Sequence, residues 1–284
     1  MNPIKVNSTL LLIALIWGVG FVPQREGMDF MSPALFNGWR FIIGALCLLP
    51  LLLYKKEFSQ RAGLAPGTLL ASFVLGLLLF GGATLQQISI QYTSLANVAF
   101  ITGLYVIIVP VIGLVLGERY TPIVWAGGIL ALVGLYLLTG AGGELNIKGD
   151  VYCLIGAVFW ALHLLALARF SPHHSVLLLA FYQFVFCALL SVGYVLIFET
   201  TQSFTAGLIW PVVNGIFAVG VSYTLQVVVM EYAKPFIAAL VFSLESVFGA
   251  MVGYLVYAET LPFVALVGAV LMLVGCVLAQ ISSD

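Results

Sequence analysis

Charged residues are scarce in this sequence of 284 residues, and their scarcity excludes most classes of soluble protein. Asp, Glu, Lys and Arg make up 7% of the chain, against about 25% in an average soluble domain. Hydrophobic residues make up 63%, so the chain cannot cover a water-exposed surface with polar groups. The composition therefore predicts an integral membrane protein. The formal net charge of −1 gives no reason to expect a nucleic-acid partner.

The sequence also lacks the residue patterns that most enzymes and metalloproteins need. Its four cysteines each lie inside an apolar segment, where they are interpreted as small packing residues: Cys47, Cys153, Cys187 and Cys276. We find no phosphate-binding glycine loop, no Cys/His metal spacing and no Ser-His-Asp set in a loop. We therefore expect no enzyme, no cofactor and no pump driven by a nucleotide.

Long apolar segments are abundant, and each is close to the roughly 20 residues that a membrane helix needs. The ten predicted spans are 8–22, 33–54, 68–90, 95–116, 122–139, 150–168, 176–198, 208–229, 236–257 and 262–281. The first span is short and runs into Gly18, Gly20 and Pro23, so we expect its second end to be irregular.

The distribution of Lys and Arg predicts the orientation of these spans. With the N-terminus inside, the cytoplasmic segments hold Lys5, Lys55, Lys56, Arg61, Arg119, Arg169 and Lys234. The outer segments hold Arg25 and Lys148, and Arg40 lies within a span. We therefore expect a multi-pass protein of the cytoplasmic (inner) membrane with both termini in the cytoplasm.

Sequence landmarks in the first half recur in the second half after 140 to 143 residues. The recurring pairs are Leu15-Ile-Trp17 with Val158-Phe-Trp160, Trp39-Arg40-Phe41 with Tyr182-Gln183-Phe184, Thr84-Leu85-Gln86 with Thr224-Leu225-Gln226, and Tyr92 with Tyr232. Glu118, Gly127 and Gly134 have the same spacing as Glu259, Gly268 and Gly275. The chain is thus predicted to contain two repeats, 8–139 and 150–281.

Each repeat holds five spans, and an odd number turns the second repeat upside down in the membrane. Inverted repeats are typical of secondary transporters, whose substrate site lies near the midplane between the halves. The fold predicted is therefore all-α, with ten transmembrane helices in two inverted five-helix repeats. A duplication that persists in a scaffold without transport activity is the alternative.

With these features, the chain resembles EamA-type members of the drug/metabolite transporter superfamily over nearly its whole length. The matching pieces are Trp17-Gly18, Arg40-Phe41, Tyr92-Thr93-Ser94, Pro110, Gly117-Glu118, Gly127 and Gly134, followed by Ser243-Leu-Glu245, Glu259, Gly268 and Gly275. The resemblance implies alternating-access transport of small metabolites, such as amino acids, drugs or other organic solutes. The sequence departs from the family at Ser246, where the second repeat often has proline.

Two ionisable residues inside spans have no ionisable counterpart in the other repeat. Glu245 aligns with Tyr105, and Arg40 aligns with Gln183. A charge inside a membrane helix costs about 2.5–3.5 kcal/mol on insertion scales, and it normally faces a bundle interior. Our hypothesis is that Arg40 and Glu245 border one cavity, where they either pair with each other or hold opposite ends of a zwitterionic substrate.

The helix face that carries Glu245 also carries two glycines at i+4 and i+8, Gly249 and Gly253, which let another helix approach closely. Glu245 is thereby placed on a protein-facing side. A carboxylate in such a position is a candidate to carry a proton in each transport cycle. For Arg40 the alternative is that its side chain reaches the membrane surface, about two turns away.

Six further residues are candidates to line the site. His163 lies in the middle of the sixth span, and Gln86 and Gln226 are related by the repeat. For these three, a helix–helix contact is the alternative to lining a cavity. Ala218, Ser222 and Gln226 form a small and polar stripe at helical spacing. Gln183 and Tyr105 are weaker candidates, and Trp17 either stacks on a substrate or packs in the core.

The fifth and tenth spans carry no charged or amide side chain over Val124–Leu138 and Phe263–Ala279. Helices that are apolar all round lie against lipid or a second protomer, so both are expected at the periphery, where a homodimer contact is one option. The leading interpretation is a secondary transporter that exports a small organic solute. The alternatives are a membrane-embedded enzyme acting on lipid and a passive channel or scaffold.

Overall fold

The computed structural model describes residues 1–59, 66–139, 146–199, 207–258 and 260–281, and within them the secondary structure is helical. The helices are α1 (Pro3–Gly27), α2 (Pro33–Tyr54), α3 (Pro66–Ser89), α4 (Leu95–Gly103), α5 (Tyr105–Val115), α6 (Pro122–Thr139), α7 (Ile147–Phe170), α8 (Val176–Phe198), α9 (Ile209–Asn214), α10 (Thr224–Val229), α11 (Pro235–Phe242), α12 (Glu245–Tyr257) and α13 (Phe263–Ile281). A π-helical segment, Gly215–Tyr223, joins α9 to α10. Arg61 and Glu259 lie outside the described residues, and so do the predictions that rest on them.

These helices form ten spans that are long and apolar enough to cross a membrane, as the sequence predicted. Several begin at a proline or behind a polar side chain that accepts a hydrogen bond from the first turn. The N-terminal caps of this kind are Asn2, Ser32, Ser94 and Asn146. Such caps matter in a bilayer because its core offers no water to the free N–H groups of a helix end.

The first span differs from its prediction. It was expected over 8–22 with an irregular end, but α1 runs from Pro3 to Gly27 and continues through Pro23. The carbonyl of Gly20, which follows the Val19 carbonyl that Pro23 leaves without its helical N–H partner, accepts hydrogen bonds from the side-chain amides of Gln24 (3.2 Å) and Asn214 (3.1 Å). Membrane helices tolerate an internal proline when neighbouring side chains stabilise the backbone in this way.

The fourth and ninth spans are interrupted at equivalent positions. The first interruption is at Leu104, between α4 and α5, and the second is at Ser243 and Leu244, between α11 and α12. Leu104 and Leu244 are 140 positions apart, which is the offset of the repeat. At each of them the backbone N–H bonds the carbonyl three residues earlier, at 3.2 and 3.1 Å, so the helix tightens locally. Tyr105 and Glu245 are the first residues after the two interruptions.

The eighth span contains a structure that its counterpart in the first repeat lacks. The π-helical segment Gly215–Tyr223 occupies the middle of the span, whereas α3 is α-helical over Pro66–Ser89. A π-helix needs more residues per turn, so it changes which side chains share a face. This difference is the clearest departure of the backbone from repeat symmetry.

The fifth and tenth spans, α6 and α13, form the most extensive helix pair among the described elements. Gly127 lies against the backbone of Gly275, and Gly134 lies against that of Gly268. Gly127 and Gly134 are the repeat counterparts of Gly268 and Gly275, so the contacts are crosswise and the two helices are antiparallel. This geometry is what two inverted repeats require.

The structure adds a detail to the prediction for these two spans. One face of each packs on the other, and their outward faces expose apolar residues such as Ile129, Tyr136, Val270 and Val277, as a peripheral position requires; what lies against these faces stays a prediction. Glycine on both helices allows this pairing, since it brings the backbones together without any polar side chain.

Both described termini lie at one end of the bundle, where the Asn7 side chain donates a hydrogen bond to Gln280 at 3.2 Å. We call this end the terminal side and the opposite end the far side. On the terminal side, α5 packs against α11, and their residues Val106, Val109 and Leu240 are buried. The helix ends at Gly27, Ser89, Thr139, Phe198 and Tyr257 lie on the far side.

Substitution of the interhelical glycine Gly275 by alanine is predicted to separate α6 from α13. An added Cβ would lie 2.5 Å from the Gly127 carbonyl oxygen and 2.8 Å from the Ala131 nitrogen, both of them backbone atoms. We expect Gly275→Ala to lower the free energy of unfolding by about 1–3 kcal/mol, measured by denaturation in mixed micelles. Gly193→Ala is the matched control, because nothing lies within 4 Å of its Cβ position. The control should be neutral or stabilising; equal losses for the two variants would contradict the packing.

Candidate functional site

The centre of the bundle contains a cavity of about 50 Å³, enough for a few water molecules. It lies beside the two helix interruptions, and seven of the ten spans contribute to it. Its lining residues are Trp17, Phe21, Gln24, Arg40, Gln86, Thr102, Tyr105, Trp160, Leu164, Ala218, Tyr223, Gln226, Phe242 and Glu245. Six of the eight residues predicted for the site lie on this wall.

Glu245 enters the central cavity from the first turn of α12 and is 7% exposed. None of the described residues donates a hydrogen bond to its carboxylate in this conformation. The position at a helix N-terminus favours the negative charge, because the helix dipole is positive there. Gly18 of α1 lies directly against the backbone carbonyl of Glu245, and Gly18 and Gly249 are neighbours. The sequence had correctly predicted a close helix on this side.

Arg40 enters the cavity from α2 and is 2% exposed. Its Nη1 donates a hydrogen bond to the side-chain oxygen of Asn214 at 3.2 Å, and its guanidinium lies 5.1 Å from the centre of the Phe41 ring. Nε and Nη2 have no hydrogen-bond partner among the described residues. The guanidinium is therefore buried, not drawn to a membrane surface, and two of its donor groups remain available.

Arg40 and Glu245 border the same cavity, but these two described residues form no ion pair. Direct pairing, one arm of the hypothesis drawn from the sequence, is absent from this conformation. The other arm, in which each residue faces a different end of a bound solute, is compatible with the geometry. Two unpaired charges inside a membrane protein are costly, so the arrangement calls for a ligand or proton.

Aromatic rings form much of the cavity wall. The Trp17 ring is 4.9 Å from the Tyr223 ring and 5.1 Å from the Phe242 ring, and its Nε1 donates to the Ala218 carbonyl at 3.4 Å. Trp160 stacks on Tyr223 with a centroid distance of 6.0 Å. Trp17 therefore packs against other rings and also presents a surface to the cavity. Both alternatives considered from the sequence, core packing and contact with a solute, are compatible with this position.

Polar atoms that have no hydrogen-bond partner among the described residues occur along the same wall. They are the Tyr105 hydroxyl, Trp160 Nε1, Gln24 Oε1 and Gln226 Oε1, all buried. Gln86 differs, since its amide donates to the Thr102 hydroxyl at 3.1 Å and so also bridges two helices. Buried polar atoms normally have partners, so their concentration at one cavity is typical of a binding site.

His163 and Gln183 do not line the cavity in this structure. They hydrogen-bond each other at 2.9 Å, from His163 Nε2 to Gln183 Oε1, between α7 and α8, and both are fully buried. The structure therefore favours the alternative considered for His163, a contact between helices. Their side chains turn towards each other and away from the cavity in this conformation, and a role of either residue in transport stays a prediction.

Tyr223 was not predicted, although its ring contacts are central to the site. An α-helical pattern places Ala218, Ser222 and Gln226 on one stripe, but the π-helical segment shifts the register so that Tyr223 reaches the cavity instead of Ser222. Phe21, Gln24, Thr102 and Phe242 were also missed. Their sequence signal was weak, because aromatic and small polar residues are common in apolar spans.

A second cavity of about 560 Å³ lies between the central cavity and the far side. We call it the vestibule; residues from α1, α4, α6, α12 and α13 line it, and Arg25, Ser94 and Thr260 in its wall are exposed. At the mouth, the Tyr257 hydroxyl donates to Glu26 at 2.6 Å. The volume falls within the range of small-molecule binding pockets.

The amino-acid sequence of this chain is similar to those of a known protein family. The model of the EamA-like transporter family matches residues 5–140 and residues 147–280. The chain belongs to the EamA-like transporter family. One match falls on each half of this EamA-like chain, in agreement with two repeats, and the resemblance stated from the sequence is confirmed.

Relatives of this EamA-like protein carry transporter names. A protein of Archaeoglobus fulgidus, named an uncharacterized transporter, is 33% identical over 96% of this chain and 84% of its own length. The uncharacterized transporter YoaV of Bacillus subtilis is 24% identical over 96% of this chain and 95% of its own length. A crystal structure with a TM-score of 0.81 covers 99% of this chain and 98% of its own at 18% identity, which shows a shared fold.

We predict that Arg40 and Asn214 are energetically coupled. Asn214→Ala leaves the buried guanidinium without its hydrogen bond, whereas Arg40→Met removes the charge and the bond together. The double variant should therefore lose less stability than the sum of the single variants, by about 0.5–3 kcal/mol. Unfolding of the four proteins in micelles measures this coupling. Asn97→Ala, whose side chain bonds Thr93 instead, should be additive with Arg40→Met; additivity for Asn214 as well would refute the coupling.

Proposed function

We propose that this EamA-like protein is a secondary transporter that exports a small zwitterionic solute, such as an amino acid or a drug-like molecule with both charges. The observation that carries this proposal is the presence of Arg40 and Glu245 on the wall of one cavity with no bond between them. A solute with one anionic and one cationic group would supply the missing partner of each.

The chemistry of the wall supports a specific arrangement of the solute. The free Nε and Nη2 of Arg40 suit a carboxylate, because a guanidinium can donate two hydrogen bonds to it. The Glu245 carboxylate, with the free Oε1 of Gln226 on the same wall, suits an ammonium group. The rings of Trp17, Trp160 and Tyr223 would then contact the apolar part.

Alternating access is supported by the two interrupted spans and by the unequal ends of the bundle. The vestibule reaches the far side, while α5 and α11 pack together on the terminal side. Because the repeats are inverted, an exchange of their conformations would open the terminal side and close the far side. The Lys and Arg distribution predicts that both termini lie in the cytoplasm. The far side, onto which the vestibule opens, would then face the outside of the cell.

Competition for Glu245 would couple export to proton entry. A carboxylate that binds either a proton or the ammonium group, but not both, releases its solute when it is protonated from outside. It would then carry the proton to the cytoplasmic side and lose it when the next solute binds. Each solute leaving would be exchanged for a proton entering.

Transport should depend on both charges of the solute. In proteoliposomes, we expect counterflow of amino acids from a panel. Analogues that lack the carboxylate or carry an N-acetyl group should bind at least about tenfold more weakly than the amino acid. Arg40→Met should bind the amine analogue as well as the amino acid, and Glu245→Gln should do the same for the N-acetyl analogue. Glu118→Gln and Arg119→Met, which change exposed residues outside the spans, are the controls. Counterflow that ignores both charges would refute the zwitterion proposal.

The proton step has its own test. We expect an inward-directed proton gradient to drive export from proteoliposomes, and Glu245→Gln to abolish this driven transport while counterflow at constant pH continues. The amide has the size of the carboxyl group but cannot take up and release a proton. If Glu245→Gln left the pH dependence unchanged, the carrier of the proton would be a different group, and a role of Glu245 in binding would remain.

A further inference from the structure

The vestibule and the central cavity share one lining residue among those described, Phe21. Its side chain therefore stands between a space of about 560 Å³ and a space of about 50 Å³. A solute of amino-acid size fits the larger space and not the smaller one. Passage between the two, and expansion of the inner space around a solute, both require Phe21 to move.

The surroundings of Phe21 differ from those of the neighbouring rings. Trp17, one turn earlier on α1, is held by two rings and by a hydrogen bond to Ala218. No aromatic pair of described residues includes Phe21, and although it is only 8% exposed it belongs to neither of the two hydrophobic clusters that form the core. Its ring therefore has no aromatic partner among the described residues to lose when it moves.

A glycine faces the Phe21 ring from the adjacent helix. A Cβ added to Gly249 of α12 would lie 3.3 Å from Cδ2 of Phe21, which is tighter than ordinary contact. The absence of a side chain at Gly249 therefore leaves the space that the ring occupies. Because Gly249 is one turn after Glu245, a displacement of α12 around a bound solute would also displace the support of this ring.

We propose that Phe21 is the movable partition between the vestibule and the central cavity, and that the size of its side chain determines which solutes pass. That solutes take this path rests on the transport function proposed for the protein. The partition itself can be measured without any substrate, so the two proposals can fail separately.

Thiol labelling measures the partition directly. In full-length protein with Cys47→Ala, in nanodiscs, A218C reports on the central cavity and A96C on the vestibule, using a charged methanethiosulfonate reagent. If the open partition is populated about 10% of the time or less, Phe21→Ala should raise the A218C labelling rate about tenfold or more. The A96C rate should not change. Phe21→Leu should have an intermediate effect, and Phe21→Trp should slow labelling.

Two further variants exclude other causes of faster labelling. V109C reports on the closed terminal side, and its rate should stay the same in Phe21→Ala, since a rise would mean that the other end of the bundle had opened. Phe184→Ala, in the core, should lower the melting temperature more than Phe21→Ala does. An A218C rate unchanged in both Phe21→Ala and Phe21→Leu would overturn the proposal, and so would a parallel rise at V109C.

Discussion

A charge inside a lipid bilayer needs a partner, water or a ligand, and this requirement organises the centre of the molecule. Arg40 and Glu245 both lie on the wall of the central cavity, which seven of the ten spans surround. Asn214 accepts a single hydrogen bond from Arg40 and at the same time donates one to the Gly20 carbonyl, so it ties α2, α9 and α1 together. The remaining donors and the Glu245 carboxylate are left for whatever enters the cavity.

The cavity depends on a break in symmetry as much as on symmetry itself. The interruptions at Leu104 and Leu244 are symmetric, and so are the crosswise glycine contacts of α6 with α13. The residues that follow the interruptions are not symmetric, because Tyr105 has a phenol side chain and Glu245 has a carboxyl group. The π-helical segment adds a second asymmetry by moving Tyr223 into the cavity. A symmetric scaffold thereby holds a site with two different ends, which a solute with two different ends can recognise.

The two cavities relate this asymmetry to movement. The vestibule opens beside the far-side halves of the interrupted spans, α4 and α12, which contact each other less extensively than the terminal-side halves α5 and α11 do. Glycines at 18 and 249 let α1 and α12 approach each other without bulky side chains between them. Phe21 lies beside this contact, at the boundary between the two spaces, and its ring faces Gly249.

The sequence by itself determined the membrane class, the ten spans, the repeat and six of the residues that line the central cavity. Hydropathy, repeat offsets and the two lone charges are properties of the chain, and the cost of polar groups in lipid makes them informative. Only the tertiary structure decided that His163 bonds Gln183 instead of facing the cavity, that Arg40 bonds Asn214 and not Glu245, and that Tyr223 lines the site. These outcomes depend on the rotation of each helix about its axis and on one π-helical segment. Such features are set by packing between distant parts of the chain, which local sequence patterns do not specify.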